Sequence, residues 1–443
     1  MTDTVVPRAP GGIPVFGHAL SLALRPLQFV QSLRAHGDMV KVALGPIPVW
    51  VVNSPALIHR ILVTDASHFC KGRLFDKARE VVGNGLALSD GPFHLAQRRL
   101  VQPAFHRERL ASYVDIMREQ TMAMTDGWRP GRTMAIDEQF NELALAIVSR
   151  ALFRSEVGRE AVERVLRALP VATEGMVART LLPVDLLERL PTRRNRRFQE
   201  AVVELRSVID GVVSAYRVAK LDHDDVLSML LAARDAQTGQ AMSPEQIRAE
   251  VMTIMLAGTE TAGSTLGWLF YELARNPSIG SAVGSEIEGV LEGRPITAND
   301  LPRLPYTRRV LNETLRLHAP NWILMRRVAH TVDLGGVRLA PGAEVMFSIY
   351  ALHRDPALYA EPSRFDPDRW LPERNAPRDA YIPFGGGNRR CIGDQFALME
   401  ITTAVATIVG RWRLRLKPGC HVRERALAAL RPDKLPMIAE RRA

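Results

Sequence analysis

One long apolar segment constrains the fold of this chain more than any other feature. Ser243 is a preferred N-cap residue, and Pro244 suits the first helical position. Gln246, three residues after Ser243, would complete a capping box. Pro277 then ends the pattern. The predicted helix over 244–275 is about 48 Å long and apolar on most faces. Such a helix has to cross the middle of one large domain.

The rest of the chain predicts further helices and two small β regions. These β regions lie at about 37–53, where Gly45 begins the turn of a hairpin, and at about 320–350. We find no internal repeat and no linker. We therefore expect a single domain over 1–443, mainly α with small β-sheets (α+β).

Composition excludes several classes of protein. Three cysteines among 443 residues do not make a disulfide framework, which favours a reducing compartment. The N-terminus lacks a signal-peptide pattern, and Glu260 interrupts the longest apolar stretch, so we expect a cytoplasmic protein without a membrane anchor. The net charge is +10, but the basic residues are scattered and no nucleic-acid-binding motif is present. Nucleic acid therefore stays a weak alternative.

A glycine-rich, basic loop over 384–393 contains Cys391 and leads into an apolar helical run. A helix start beside two arginines favours the thiolate, which can be a nucleophile, a redox thiol or a metal ligand. The glycines favour a ligand, because they let the backbone approach a large flat group. The spacing Phe-x-x-Gly-x-Arg-x-Cys-x-Gly resembles the haem-ligand loop of the cytochrome P450 family, in which the cysteine is the axial iron ligand. A buried structural cysteine and a catalytic cysteine are the alternatives.

The long helix contains a second motif, at residues 257–261. Gly258 costs about 1 kcal/mol relative to alanine inside a helix, which close approach to a flat cofactor would offset. The motif resembles the oxygen-activating segment of the same family, which implies that Thr261 hydrogen-bonds dioxygen and Glu260 relays protons. An acid beside a threonine could also open the helix locally. The alternative is a threonine bonded to its own backbone and an ion-paired glutamate.

Glu313 and Arg316 lie three apart on one predicted helix. The same E-x-x-R spacing occurs elsewhere, at Glu156, Glu245, Glu272 and Glu361. We select Glu313 because of its position upstream of Cys391. The Glu313–Arg316 pair resembles the E-x-x-R helix pair of the family, and the resemblance implies that Arg369 joins this pair in one network. The resemblance implies a buried structural network rather than a catalytic one.

The resemblance implies haem b and O2 as cofactors, with NAD(P)H used only indirectly. It assigns the haem contacts to His94, Arg98, Gly258, Arg327, Phe384, Gly385, Arg389 and Cys391. Arg326 is the alternative to Arg327, which the family's R-x-A pattern favours. His353 is a weaker candidate for a further donor.

The implied activity is monooxygenation of a small apolar molecule, with electrons from a ferredoxin and its reductase that dock on a basic face near Arg98 and Arg389. Residues predicted to line the substrate cavity are Leu86, Met176, Leu181, Leu182, Met255, Trp322, Ile323, Leu324 and Met325. The segment 322–327 is similar to bacterial sesquiterpene-pathway oxygenases, so we expect a terpene. A macrolide or other polyketide, a fatty acid or a steroid are alternatives. A gas sensor or a peroxide-driven enzyme is the alternative class, which the Glu260–Thr261 pair disfavours.

Overall fold

The structure is a computed structural model that describes residues 6–154, 156–180, 190–219, 224–235, 237–374 and 378–442. Within them the α-helices are α1 (Ala19–Leu24), α2 (Pro26–Ser32), α3 (Pro55–His59), α4 (Arg73–Asp76), α5 (Arg79–Val82), α6 (Gly91–Val101), α7 (Arg107–Asp126), α8 (Ile136–Leu152), α9 (Glu156–Thr180), α10 (Arg193–Ala219), α11 (Val226–Ala232), α12 (Pro244–Arg275), α13 (Pro277–Leu291), α14 (Pro305–Leu317), α15 (Ile349–Leu352) and α16 (Asp394–Val409).

The strands are short and belong mostly to the two ends of the chain. They are β1 (Met39–Leu44), β2 (Ile47–Val52), β3 (Phe69–Lys71), β4 (Thr133–Ala135), β5 (Leu324–Val328), β6 (Val332–Leu334), β7 (Val337–Leu339), β8 (Glu344–Phe347), β9 (Trp412–Leu416), β10 (Glu424–Ala426), β11 (Leu430–Pro432) and β12 (Pro436–Arg441).

Helix α12 has the predicted bounds and crosses the core. Ser243 Oγ accepts a hydrogen bond from the Gln246 backbone N–H at 3.1 Å, which satisfies one of the free donors at the helix start. The capping box is not completed, because the Gln246 side chain donates to Glu250 Oε1 at 2.7 Å instead. The helix is continuous to Arg275, so the expected local opening near Thr261 is not observed.

The two predicted β regions join in one five-stranded sheet of order β1-β2-β8-β5-β3. β1 and β2 form the predicted hairpin, and β2 then pairs in parallel with β8. A three-stranded sheet of order β4-β12-β9 lies outside the predicted β regions. Its signal was present in the sequence, because Trp412 and Leu414 alternate with arginines as a half-buried strand requires.

The main core lies where α8, α10, α14 and α16 pack around α12. Helix α8 makes the closest approach to α12, because Gly263 leaves room for Asn141; a Cβ there would overlap the Asn141 side chain. Among the described residues, no helix combines the length and apolarity that a bilayer span requires.

Candidate active site

The loop over 384–393 forms a compact bend that presents Cys391 to an internal cavity. The Cys391 N–H donates to the Phe384 carbonyl at 2.9 Å, which closes the loop. Gly385 and Gly387 have φ values of 70° and 63°, in the left-handed region that favours glycine. A Cβ at Gly387 would also overlap the Leu62 carbonyl oxygen, so the bend requires glycine for steric reasons as well.

The electrostatics of Cys391 differ from the sequence expectation. Burial raises the pKa of the thiol, and this effect exceeds the opposing hydrogen bond from the Gly393 backbone. Arg98 and Arg390 lower the pKa, as predicted for cations beside the thiol, but Asp394, which accepts from Arg390 Nε at 2.9 Å, raises it. The arginines therefore favour the thiolate without outweighing burial in the protein alone, and a bound metal cation is the partner that would stabilise a thiolate.

A cavity of about 350 Å³ separates Cys391 from helix α12. On the α12 side its wall includes the small residues Ala257 and Gly258. On the cysteine side it includes Phe384 and Phe396. A slot between a glycine-bearing helix and the Cys391 thiol, with aromatic rings beside it, suits a large flat ligand.

Five cations line the same cavity: Lys71, Arg98, Arg326, Arg389 and Arg390. Arg326 is only 6% exposed, and its Nη1 donates to the neighbouring Met325 carbonyl at 2.8 Å. Burial lowers the pKa of Arg326 to about 10 and lowers that of Lys71 well below its usual value. Buried cations are unfavourable without a compensating anion, and the two propionates of a haem would supply it. The residues present therefore fit a haem.

Arg326, rather than Arg327, reaches the cavity. Arg327 Nε donates to Glu344 at 2.7 Å and its Nη2 donates to Asp76 at 2.7 Å, and Arg327 is not among the residues that line the cavity. The cause is the strand geometry of β5, in which neighbouring side chains point to opposite faces. The expectation for Arg327 is corrected accordingly.

Arg389 and Arg98 lie at the cavity rim. Arg389 donates to the Ser89 carbonyl and, at 2.5 Å, to Asp90, so it also fixes the loop before α6. Arg98 Nη1 donates to the Arg390 carbonyl at 2.8 Å. Lys71 was not predicted from the sequence; only its position on β3, beside the cavity, identifies it.

His94 and His353, the two histidines considered as haem contacts, differ in position and in role. His94 lines the cavity, with Nδ1 3.1 Å from the Leu86 carbonyl and Nε2 3.3 Å from the Asn388 carbonyl. Burial lowers the pKa of His94 to about 4, so it is a neutral ring rather than a cation. His353 is not a haem donor, because the Ile382 N–H donates to its Nε2 at 3.0 Å and its Nδ1 donates to the Arg316 carbonyl at 3.2 Å.

Thr261 stands between this cavity and a second one. Its hydroxyl donates to the Ala257 carbonyl at 2.6 Å, as a helical threonine often does. Glu260 faces the second cavity, and burial raises the pKa of its carboxyl, reinforced by Glu174 and opposed by Arg431. Gly258 serves packing as well as the cavity, since a Cβ there would lie 3.0 Å from Val148 Cγ2 on α8.

The second, outer cavity has a volume of about 400 Å³ and a largely apolar lining. Of the predicted lining residues, Met176, Trp322, Ile323, Leu324 and Met325 line it, and Leu86 lines the cavity beside Cys391. Met255 lines neither: it is 1% exposed and packs in the main core, because Thr253, Leu256 and Ala257 occupy the cavity face of α12. Leu181 and Leu182 lie outside the described residues.

Glu313 and Arg316 are fully buried, and Glu313 is the centre of a hydrogen-bond network. Arg316 donates to both of its carboxylate oxygens, at 2.9 and 2.8 Å. Arg369 Nε at 3.4 Å, Trp370 Nε1 at 3.0 Å and the Asp366 N–H at 3.0 Å complete its partners. Arg316 also donates to the backbone carbonyls of His353, Pro362 and Arg364. The network ties α14 to the segment 353–370.

The chain resembles known proteins over nearly its whole length. The cytochrome P450 family model matches residues 7–437. Cyclooctatin synthase of Streptomyces melanosporofaciens is 44% identical over 98% of this chain and 95% of its own length. Pentalenene oxygenase of Streptomyces avermitilis is 40% identical over 95% of this chain and 94% of its own length.

A solved structure shows the same architecture. The crystal structure of the cytochrome P450DA heme domain superposes with a TM-score of 0.89 at 25% identity, covering 99% of this chain and 98% of that chain. The fold resemblance stated from the motifs is thus confirmed. Family match, relatives and fold agree, and the chain belongs to the cytochrome P450 family of haem monooxygenases.

Proposed function

We propose that this enzyme oxidises an apolar terpene, with Cys391 as the axial ligand of a haem b. The observation that carries the proposal is the pairing of two cavities at Thr261: one lies beside Cys391 with buried cations, and the other is apolar. When bound, a thiolate-ligated haem supplies O2 activation. The residues of the chain orient the cofactor, exclude water and deliver protons.

The cations that line the cavity and neutral His94 would hold the propionates of a bound haem. Thr261 lies on α12, across the cavity from Cys391 and at the junction of the two cavities. Glu260 directly precedes Thr261, and burial raises the pKa of its carboxyl, which favours the protonated form that a proton relay uses. Rotation of the Thr261 hydroxyl away from the Ala257 carbonyl would let it donate into the cavity.

The proposal of a terpene substrate is based on the residues that line the outer cavity and on the similarity to terpene-pathway proteins. The outer cavity offers hydrocarbon contacts from Met176, Ile323 and Leu324, and its volume of about 400 Å³ lies within the range of small-molecule sites. Relatives at 40–44% identity come from bacterial terpene pathways, and one of them is named for pentalenene. A sesquiterpene or a larger polycyclic terpene fits both observations better than a fatty acid, steroid or macrolide.

Electrons would come from a ferredoxin and its reductase. Arg98, Arg99 and Arg390 cluster near the Cys391 loop, and the Arg390 and Arg99 side chains are 56% and 46% exposed even though each pairs with an aspartate. A basic face attracts an acidic carrier. We expect the rate of haem reduction by an acidic ferredoxin to fall steeply with ionic strength.

The test is optical titration of the purified ferric holoenzyme with pentalenene, cyclooctat-9-en-7-ol, dodecanoic acid and progesterone. A low-to-high-spin shift of the Soret band with a terpene, saturating at lower concentration than with the acid or the steroid, is the expected result. A shift confined to dodecanoic acid or progesterone would refute the substrate and leave the enzyme class. In Cys391→Ala we expect loss of the thiolate spectrum and of activity; retained activity would refute the ligand assignment.

A further inference from the structure

Glu250 is a buried carboxyl that the proposed reaction does not use. It lies on α12, is 0% exposed and borders the cavity beside Cys391. Its Oε2 accepts a hydrogen bond from the Leu86 backbone N–H at 2.9 Å, and its Oε1 accepts from Gln246 Nε2 at 2.7 Å. A side chain of the central helix therefore holds the backbone of a loop more than 160 positions earlier in the chain.

That loop, residues 83–89, forms part of the wall of both cavities. Leu86 lines the cavity beside Cys391, Leu88 lines the outer cavity, and Ala87 lines both. Its contact with α12 is tight, since a Cβ at Gly85 would overlap Thr253 Oγ1 and the Ala249 carbonyl oxygen. A small outward movement of this loop would widen both cavities at once.

The Leu86 peptide links the helix to the cofactor side of the site. Its N–H is bonded to Glu250, and its carbonyl lies 3.1 Å from His94 Nδ1. Arg389, from the cysteine loop, donates to the Ser89 carbonyl at the end of the same segment. The segment is thus anchored on the cofactor side by two residues and on the α12 side by Glu250.

We propose that Glu250 is a positioning residue that latches the 83–89 loop closed against α12, and so controls the admission of bulky ligands to the haem. It acts through the Leu86 amide and does not touch the reacting atoms. The inference rests on the haem of the family and not on the choice of a terpene substrate.

The latch has a pH dependence whose sign follows from the geometry. Burial raises the pKa of Glu250 to about 7, against the opposing bonds from Leu86 and Gln246. Opening the loop would hydrate the carboxylate, so the closed form is most stable at low pH and loses stability as the pH rises through 7. The equilibrium constant for loop closure falls by at most about tenfold per pH unit.

Other titratable and charged groups border this region. Lys71 on β3 and His94 and Arg98 on α6 line the same cavity. On α5, Arg79 donates to the Leu88 carbonyl and Glu80 pairs with Arg179 of α9. On α12, Arg248 pairs with Asp210 of α10. A Glu250→Gln variant separates the Glu250 effect from these groups, because they remain unchanged.

The experiment uses the full-length holoenzyme and two non-titrating haem ligands. Phenyl isocyanide is the bulky probe and carbon monoxide the small one, and both bind the ferrous haem. Hydrogen exchange of the Leu86 amide is measured in parallel. In Glu250→Leu we expect that amide to exchange at least tenfold faster and phenyl isocyanide to bind at least fivefold faster, with carbon monoxide binding changed less than twofold.

Glu250→Gln is the matched control, since its amide oxygen can still accept from the Leu86 N–H. In this variant the Leu86 amide should keep its wild-type protection from hydrogen exchange. In the wild type we expect phenyl isocyanide to bind faster at pH 8.5 than at pH 6, and this increase should disappear in Glu250→Gln. Gly85→Ala displaces the same loop with Glu250 intact and should mimic Glu250→Leu, which covers failure of the latter to fold. Unchanged Leu86 exchange in Glu250→Leu or in Gly85→Ala, or equal loss of protection in the Gln variant, would overturn the proposal.

Discussion

The Glu313 network predicts a stability loss whose size can be worked out. Glu313→Gln keeps the shape of the side chain but removes the charge that two arginines and Trp370 contact. Glu313 and Arg316 are both 0% exposed, so the variant leaves a buried guanidinium without its carboxylate, a change that typically costs about 3–5 kcal/mol. The backbone carbonyls that Arg316 also contacts favour the lower end of that range.

For a chain of 443 residues the unfolding entropy scales to about 0.9 kcal/mol per kelvin, so the loss corresponds to about 3–5 °C in Tm. The assay is far-ultraviolet circular dichroism of the holoenzyme, with all variants heated at one scan rate. Glu361→Gln is the matched control, because Glu361 and Arg364 have the same i,i+3 spacing with side chains 71% and 63% exposed. Its Tm should change by less than about 1 °C. Equal Tm values for the two variants would refute the argument that burial makes this pair important.

Three further substitutions test the site, each against a matched neighbour. Thr261→Ala should lower the product formed per NADPH consumed severalfold, while Thr259→Ala, whose hydroxyl bonds the Met255 carbonyl away from both cavities, should not; equal coupling in the two variants would contradict the relay. Arg326→Ala should lower the haem-to-protein ratio of the purified enzyme, measured as Soret absorbance per protein, more than Arg327→Ala does; the reverse order would restore Arg327 as the haem contact. Met176→Ala should change the terpene concentration that half-saturates the Soret shift with little change in Tm. Met255→Ala should lower the free energy of unfolding by about 2–5 kcal/mol, and with it Tm, and leave terpene binding nearly unchanged.

The sequence predicts an element correctly where its pattern is long or where several independent residues indicate the same bounds. Helix α12 was predicted with its bounds, because its cap, its apolar length and its terminal Pro277 all agree. The hairpin of β1 and β2 follows from two apolar runs around Gly45. The three-residue strands β4 and β10 escaped prediction because a strand that short has no period of its own.

Within the site, the errors concern which face of an element a residue occupies. Arg326 and Arg327 are neighbours on β5, and only the pairing of that strand with β3 and β8 decides which one faces the cavity. Met255 was predicted to line the cavity because it is apolar and lies in this part of α12, but the helical period places it in the core. Glu250 carries no motif at all, and its role appears only when the 83–89 loop is folded onto α12.

The parallel pairing of β2 with β8 has a consequence for synthesis of the chain on the ribosome. Val49 pairs with Glu344 and Val51 with Met346, so the edge of β2 has no partner until almost 300 further residues have been made. At translation rates of about 5–20 residues per second, that interval is roughly 15–60 s. During it an apolar strand edge is exposed in the nascent chain, which is a template for aggregation. The N-terminal hairpin should therefore be a main site of chaperone engagement during translation, and low yield on overexpression should be relieved by slowing synthesis or adding chaperones.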